Sequence, residues 1–237
     1  NSREDETFAF YDRLMRQAAR IRIVRWEGEF NYSAINNFGF QHTKGEHVIL
    51  LNNDTQVISP DWIQEMLMYS QRSDVGAVGA KLYYPDHTIQ HAGVGIGLLT
   101  LAGHYHRHFD GNHPGYMGRL IYAQDVSAVT AACVMLPRHV WEELHGLDES
   151  FAVAFNDVDM CMRIRKAGYL IVWTPYAELY HYESKSRGYE DTGEKVARFN
   201  SEVEKLEKRW PDILEKGDPY YNPNLSILDG WYRLKEE

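Results

Sequence analysis

Residues 48–57 constrain the fold of this chain more than any other stretch. They read VILLNNDTQV, so that an unbroken apolar run ends abruptly in two asparagines and an aspartate. Such a run predicts a strand buried on both faces of a sheet, and open α/β sheets bind ligands just beyond the carboxyl ends of their strands. Asp54 there offers the hard oxygen that Mg²⁺ or Mn²⁺ takes beside a phosphate. A strand that ends in an Asx turn is the alternative interpretation.

Length, composition and charge limit the number of domains and the classes of function that this chain can have. The chain has 237 residues, of which 44% are hydrophobic, so it can bury a sizeable core, and we expect one domain over residues 1–237. The formal net charge of -9 argues against broad nucleic-acid binding, which depends on neutralising phosphates. No apolar run approaches the roughly 20 residues of a membrane span. Cys133 and Cys161 have no paired spacing, which favours buried thiols in a reducing compartment, and we expect a cytoplasmic protein.

Strands and helices alternate along the chain, which predicts the α/β class. Helical periodicity and capping signals predict helices at 7–19, 34–38, 59–70, 138–145, 156–167 and 192–210. Apolar or β-branched runs predict strands at 21–24, 48–51, 75–84, 126–136, 170–173 and 179–182. Asn31 or Ser33 is expected to cap the second helix, and Ser59 the third. Residues 89–98 are predicted to be extended, and residues 102–118 to form a long functional loop.

Three further segments carry polar residues that can converge with Asp54. Asp157 and Asp159 fall in the first turn of a predicted helix, where carboxylates gain from the helix dipole. A plain capping role is the alternative for both. His181 follows a strand directly, where it is either a metal ligand or a hydrogen-bonded neighbour. The third segment is the pair of asparagines at positions 36 and 37.

Six motifs in this order resemble those of the family 2 glycosyltransferases, which are inverting, nucleotide-sugar-dependent enzymes of the GT-A fold. The motifs are FNYSAINN at 30–37, LLNNDT at 50–55, VTAAC at 129–133, GLDE at 146–149, NDVDMCMR at 156–163 and HYES at 181–184. The chain looks most similar to bacterial enzymes that build cell-wall or capsular polysaccharides. This resemblance implies an α/β, Rossmann-like mixed sheet flanked by helices.

The resemblance also implies roles for individual residues. Asp54 and His181 would hold a divalent metal, Mn²⁺ or Mg²⁺, and Asp157 would be the catalytic base. Asn156 stands where the family usually has the glutamate partner of that base, and Ala131 stands where relatives often have glycine. The remaining assignments are Asn36, Asn37, Asn52 and Asn53 as donor-binding residues, and Ala131, Asn156 and Asp159 as acceptor-side or loop-orienting residues.

The partners implied by the resemblance are a nucleotide-sugar donor and a saccharide or lipid-linked saccharide acceptor. Family members begin with a strand and loop that cradle the nucleotide, whereas this chain opens at what looks like their second element. We therefore expect an N-terminally truncated domain, with other domains of a larger chain as further partners. The Gln-x-x-Arg-Trp motif of processive synthases is missing, because Arg209-Trp210 lacks the glutamine. Partners would bring such an enzyme to the inner face of the membrane.

Two other functions compete with this interpretation. His104, His106, His108 and His113 have a spacing that can chelate zinc, which would indicate a hydrolase. The same loop can instead be an acceptor-binding loop or a lid. The third possibility is a non-catalytic module that binds a sugar or a partner chain without turnover.

Overall fold

The computed structural model describes residues 4–183 and 192–235, and its centre is a mixed sheet. The strands are β1 (His47–Leu51), β2 (Thr55–Val57), β3 (Val75–Tyr83), β4 (Ile89–His91), β5 (Val94–Ile96), β6 (Ala102–His104), β7 (Gln124–Asp125), β8 (Cys133–Pro137) and β9 (Leu170–His181). The helices are α1 (Asp5–Gln17), α2 (Tyr32–Phe40), α3 (Trp62–Ser70), α4 (Arg138–Glu143), α5 (Asn156–Lys166), α6 (Gly193–Arg209) and α7 (Pro211–Lys216). This is the predicted α/β class.

The main sheet has seven strands, and five of them follow one another in the order β1-β8-β3-β9-β2. The strand β4 pairs with β3, and β7 pairs with β9. Of these pairings β3 with β9 is parallel and the others are antiparallel. The strands β5 and β6 form a separate antiparallel pair. The predicted mixed sheet is therefore confirmed.

The strand β3 is the middle of the core, and every residue of it is buried. Its side chains alternate between two hydrophobic clusters, so that Ala77 belongs to one and Val78 to the other. The helix α3 packs on the second cluster, and α4 and α5 contribute to the first. Gly79 is needed here, since a Cβ at this position would lie 2.5 Å from Val129. Helices thus cover both faces of the sheet, as its apolar strands require.

Four predicted strands differ from the observed ones. Residues 21–24 form no strand and pair with none of the described strands, and Ile21 and Val24 stay exposed. Of the strand predicted at 126–136, only the last part is a strand, β8 (Cys133–Pro137). Residues 126–132 form a loop. The two strands predicted at 170–173 and 179–182 are one strand, β9. Its pairing with β3 shifts at Pro175, which lacks an N–H for the ladder, and the strand continues beyond.

The helix termini test the predicted caps. The Asn31 side chain accepts a hydrogen bond from the Ala34 N–H (3.0 Å), so Asn31 and not Ser33 caps α2. Ser59 does not cap α3, because its hydroxyl accepts from the Glu178 N–H (2.7 Å) on β9. The helix α1 has no buried residue. In the part of the chain that the structure describes, no helix is long and apolar enough to cross a membrane.

Candidate active site

The turn between β1 and β2 and the end of β9 form one end of the candidate site, which we call the metal end. Thr55 pairs with His181 in the β2–β9 ladder, so the preceding residue, Asp54, comes to lie beside that histidine. The Tyr182 N–H donates to the Asp54 carbonyl oxygen (2.8 Å) and extends the ladder by one step. As a result, His181 Nε2 and Asp54 Oδ1 are 3.2 Å apart. Strand register therefore brings together the two residues that the family resemblance assigns to a metal.

These two residues fit a divalent metal. Asp54 Oδ1 is buried and has no hydrogen-bond partner. An octahedral ion with bonds of about 2.1 Å places neighbouring ligand atoms about 3 Å apart, which matches the observed separation. Among the described residues, no group of three or more His, Cys, Asp or Glu side chains could hold a metal. Asp54 and His181 would therefore hold the ion together with substrate phosphates and water, which is how Mg²⁺ is commonly bound.

The two asparagines of the β1–β2 turn differ in their contacts. Asn52 Nδ2 lies 3.3 Å from His181 Nε2, and the Asn52 N–H donates to the Ala132 carbonyl oxygen (2.9 Å). The Asn52 carbonyl oxygen accepts from the Thr55 hydroxyl (2.8 Å). Asn53 is exposed. Both stand beside the metal end, where their donor-binding role stays a prediction.

Asp157 and the segment Thr130–Ala131 form the other end of the site, which we call the base end. The Ala131 N–H donates to Asp157 Oδ2 (3.1 Å), and the Val158 N–H donates to Asp157 Oδ1 (2.9 Å). Phe155, in the left-handed conformation, occupies the N-cap position of α5, and Asp157 lies in the first turn. Since each carboxylate oxygen has two lone pairs, these bonds fix the group and leave it able to accept a proton.

The surroundings of Asp157 make it a stronger base. Burial raises the pKa of its carboxyl group above 3.8, although the N–H donors and the Thr130 hydroxyl oppose that rise. Tyr32 lies beside it and donates its hydroxyl to the Ala131 carbonyl oxygen (2.9 Å). Burial, and after it the charge of Asp157, raises the pKa of Tyr32, while the charge of Asp54 adds to the rise. Tyr32 therefore remains neutral and stands near both ends of the site.

The loop before α5 is held by Glu202, a residue that lies outside all six sequence motifs. Glu202 on α6 is buried, and its two carboxylate oxygens accept from the Val153 N–H (3.1 Å) and the Ala154 N–H (2.9 Å). Asn156, at the family's glutamate position, donates to the Val153 carbonyl oxygen (2.7 Å). Asn156 thus has a loop-orienting contact, and Glu202 holds the same loop from the other side.

Asp159 points away from the base end. Its carboxylate accepts from Arg163 Nε (2.8 Å), Arg209 Nη1 (2.9 Å) and Trp210 Nε1 (3.1 Å). Arg209 also forms a 2.6 Å ion pair with Asp148. These contacts attach the end of α6 to α5.

The two asparagines of α2 are bonded within the fold. Asn36 donates to the Tyr32 carbonyl oxygen one turn earlier (2.8 Å). Asn37 donates to the Leu147 carbonyl oxygen (2.9 Å) and to Glu149 Oε1 (3.0 Å), and it accepts from the Leu147 N–H (2.9 Å). The Asn37 side chain therefore supports the loop after α4, and a donor-binding role for both asparagines stays a prediction.

The histidines of the 102–118 region do not converge on one point. His106 accepts from the Tyr116 N–H (2.9 Å), His108 stacks on Tyr84, and His113 accepts from the Gly115 N–H (2.9 Å). His104 instead meets His91, with their Nδ1 atoms 3.0 Å apart. The zinc-hydrolase alternative has no ligand cluster among the described residues, in which no metal-holding group of three occurs.

Known proteins similar to this chain include glycosyltransferases. A family model described as "Glycosyltransferase like family 2" matches residues 1–212. The chain belongs to this family. It is 50% identical over 94% of its length to the uncharacterized protein y4gI of Sinorhizobium fredii. It is 39% identical over 96% of its length to the O-antigen biosynthesis protein RfbC of Myxococcus xanthus. The chain spans 25% and 17% of these two relatives.

Solved glycosyltransferases share the fold. A mannosyltransferase of Pyrobaculum calidifontis in complex with GDP-Man and Mn²⁺ superposes with a TM-score of 0.56 at 15% identity, over 86% of this chain and 53% of the other. GalNAc-T7 with UDP, GalNAc and Mn²⁺ superposes with a TM-score of 0.68 at 12% identity, over 90% of this chain and 42% of the other. These identities are too low to carry more than the fold, which is the predicted GT-A type.

Sequence reasoning missed three residues of the candidate site. Gln90 accepts from His181 Nδ1 (2.7 Å), Tyr32 bonds Ala131, and Glu202 bonds the loop before α5. Tyr32 lies within the first matched motif and could have been selected there, whereas Gln90 and Glu202 belong to none of the six motifs. Position 184 of the last motif lies outside the described residues.

Proposed function

We propose that this chain transfers a sugar from a nucleotide-sugar donor to a saccharide hydroxyl, with inversion at the anomeric carbon and with a divalent metal at Asp54 and His181. The single observation that carries the proposal is the pairing of Asp54 Oδ1 and His181 Nε2 at 3.2 Å, with the carboxylate oxygen buried and lacking a hydrogen-bond partner. Family membership and the base-like setting of Asp157 support it.

When bound, the metal would neutralise the negative charge that develops on the diphosphate leaving group. Asp157 accepts the proton of the acceptor hydroxyl, and that oxygen forms a bond to the anomeric carbon. The bond from the same carbon to the diphosphate oxygen breaks on the opposite face, and the nucleoside diphosphate departs with the electron pair. One displacement inverts the configuration and needs no covalent intermediate.

One of the relatives supports a choice of acceptor. RfbC is described as an O-antigen biosynthesis protein, so we propose a saccharide or lipid-linked saccharide acceptor in polysaccharide assembly. GDP-Man and UDP with GalNAc are bound by the two solved neighbours, which makes GDP- and UDP-linked sugars the first donors to test.

The test uses the full-length gene product with Mn²⁺, α-linked GDP- and UDP-sugars and saccharide acceptors. We expect metal-dependent release of the nucleoside diphosphate and a product whose new linkage is β by NMR. An α-linked product would contradict inversion. Metal-dependent binding of nucleotide without turnover would favour the non-catalytic sugar-binding alternative.

A further inference from the structure

We propose that Gln90 is a positioning residue for the metal end, where its hydrogen bond holds His181 in the tautomer that can ligate a metal. This inference rests on the proposed function, because it concerns how the same site receives its ion. Gln90 is buried in the short strand β4 and lies outside every motif that pointed to the site. Its side chain reaches His181 from the side opposite to Asp54.

The contacts of the Gln90 amide nitrogen determine which way the amide faces. Gln90 Nε2 lies 3.2 Å from the His181 carbonyl oxygen and 3.3 Å from Glu183 Oε2. A carbonyl oxygen and a carboxylate oxygen both accept hydrogen bonds, so the group that faces them must be the donating NH₂. The amide oxygen, Oε1, is therefore turned toward the His181 ring.

The orientation of the amide decides the tautomer of His181. Gln90 Oε1 lies 2.7 Å from His181 Nδ1, and an amide oxygen can only accept. Nδ1 must then carry the hydrogen, which leaves the lone pair of the neutral ring on Nε2. Metal-binding histidines commonly donate their second ring N–H to a fixed acceptor in this way, and removing such an acceptor typically costs 10–100-fold in metal affinity.

The Nε2 lone pair of His181 is directed toward Asp54, where a cation would stabilise both groups. Nε2 faces Asp54 Oδ1 at 3.2 Å, so two electron-rich atoms meet with no hydrogen between them in this tautomer. The Asn52 amide, 3.3 Å from Nε2, offers that lone pair one donor and leaves the carboxylate oxygen without any. With the other tautomer, the Nε2 hydrogen would point into the space that an ion has to occupy. Gln90 therefore keeps that space open to a metal.

The experiment compares Gln90→Leu, which keeps the volume and removes the hydrogen bonds, with Gln56→Leu as the matched control. Gln56 lies on β2, the strand that pairs with β9, is exposed, and accepts from the Tyr182 hydroxyl (2.7 Å). Calorimetric titration with MnCl₂ is expected to show about 10–100-fold weaker binding for Gln90→Leu. The control should bind Mn²⁺ as the wild type does.

A second readout is independent of metal and of activity. In ¹⁵N-labelled, metal-free protein at neutral pH, long-range ¹H–¹⁵N spectra report the tautomer of His181, whose signals are assigned through their loss in His181→Gln. We expect the Nδ1–H form in the wild type and the Gln56→Leu control, and the Nε2–H form in Gln90→Leu. A purely structural role for Gln90 would not change the tautomer of a folded protein.

The outcomes separate this inference from the proposed function. An Nε2–H tautomer in the wild type overturns the inference, whatever the Mn²⁺ titration shows and whether or not Gln90→Leu folds. Equal Mn²⁺ affinity in folded Gln90→Leu and wild type also overturns it. No Mn²⁺ binding by a wild type with the Nδ1–H form contradicts the proposed function, while the hydrogen bond from His181 to Gln90 stands.

Discussion

The metal end and the base end of the site are held by different kinds of contact. At the metal end, His181 lies on β9 and Asp54 directly precedes the paired strand β2, so the backbone ladder sets their distance. At the base end, Asp157 follows a loop whose N–H groups bond Glu202, a residue 48 and 49 positions away from its partners. The metal end is thus fixed by the backbone register of two paired strands, whereas the base end depends on side-chain contacts.

The two carboxylates also differ in what their oxygens bind. Asp54 Oδ1 is buried without a hydrogen-bond partner, while both oxygens of Asp157 accept backbone N–H groups. An unpaired buried oxygen is costly and is stabilised by a cation, whereas a paired carboxylate keeps its orientation. The strand β4 supports both ends, because Gln90 bonds His181 and the neighbouring His91 accepts from the Thr130 N–H (3.4 Å).

The largest effect is expected at the base end. Asp157→Asn keeps the shape and removes the proton acceptor, so turnover in the full-length protein should fall by about 10²–10⁴-fold. Melting temperature should stay near normal, because loss of one N–H acceptor is offset by removal of a charge that burial disfavours. Wild-type kcat/KM should decline as pH falls through the raised pKa of Asp157, which lies above 3.8. Full activity of Asp157→Asn would end the base assignment.

Asp159→Asn is the matched control for that variant, two residues along the same helix. Its carboxylate bonds Arg163, Arg209 and Trp210 in the interior, so the substitution should lower the free energy of unfolding. Turnover per folded molecule should change little. The comparison would break down if Asp159→Asn lost activity while keeping its stability.

The metal end is tested by Asp54→Asn and His181→Gln. Each removes one proposed ligand, and each should weaken Mn²⁺ binding, measured by calorimetry, by more than the 10–100-fold typical of supporting residues. Asn53→Ala, at the exposed neighbouring position, should leave Mn²⁺ affinity unchanged. Unaltered Mn²⁺ affinity in both ligand variants would show that the ion binds elsewhere.

A smaller effect is expected where α6 holds the base end. Glu202→Met leaves the Val153 and Ala154 N–H groups without an acceptor, which should cost roughly 1–3 kcal/mol in the free energy of unfolding for each buried donor that water does not reach. Turnover should fall with little change at the metal end, measured as Mn²⁺ affinity. Glu204→Met, at an exposed position of the same helix, should change neither the free energy of unfolding nor turnover. Unchanged turnover of folded Glu202→Met would show that the hydrogen bonds from Val153 and Ala154 to Glu202 are not needed to place Asp157.

The smallest effect concerns histidines outside both ends. Burial lowers the pKa of His104 to about 4 and that of His106 to about 3. Because the unfolded chain binds these protons more readily, stability is complete above the usual pKa of 6.5 and is lost as pH falls toward the lowered values. Each histidine should contribute about 1.4 kcal/mol per pH unit to this slope. Urea titrations between pH 5 and 7 should show a shallower slope for His106→Gln. An identical slope would contradict a buried, neutral His106.

The sequence by itself determined the α/β class, the family and the residues that follow its strands. Asp54 and His181 could be assigned to one metal in advance through the resemblance to the family 2 glycosyltransferases, and the β2–β9 register explains why the two residues meet. Asn31 could be identified as one of two candidate caps, because capping depends on a few neighbouring residues. Only the tertiary structure decided that Asp159 serves α6, that Asn37 serves the loop after α4, and that Gln90 and Glu202 support the site. These contacts are hydrogen bonds between residues far apart in the chain. Their amide, carboxylate and backbone groups occur throughout the sequence, so no periodicity or motif spacing marks which of them will pair.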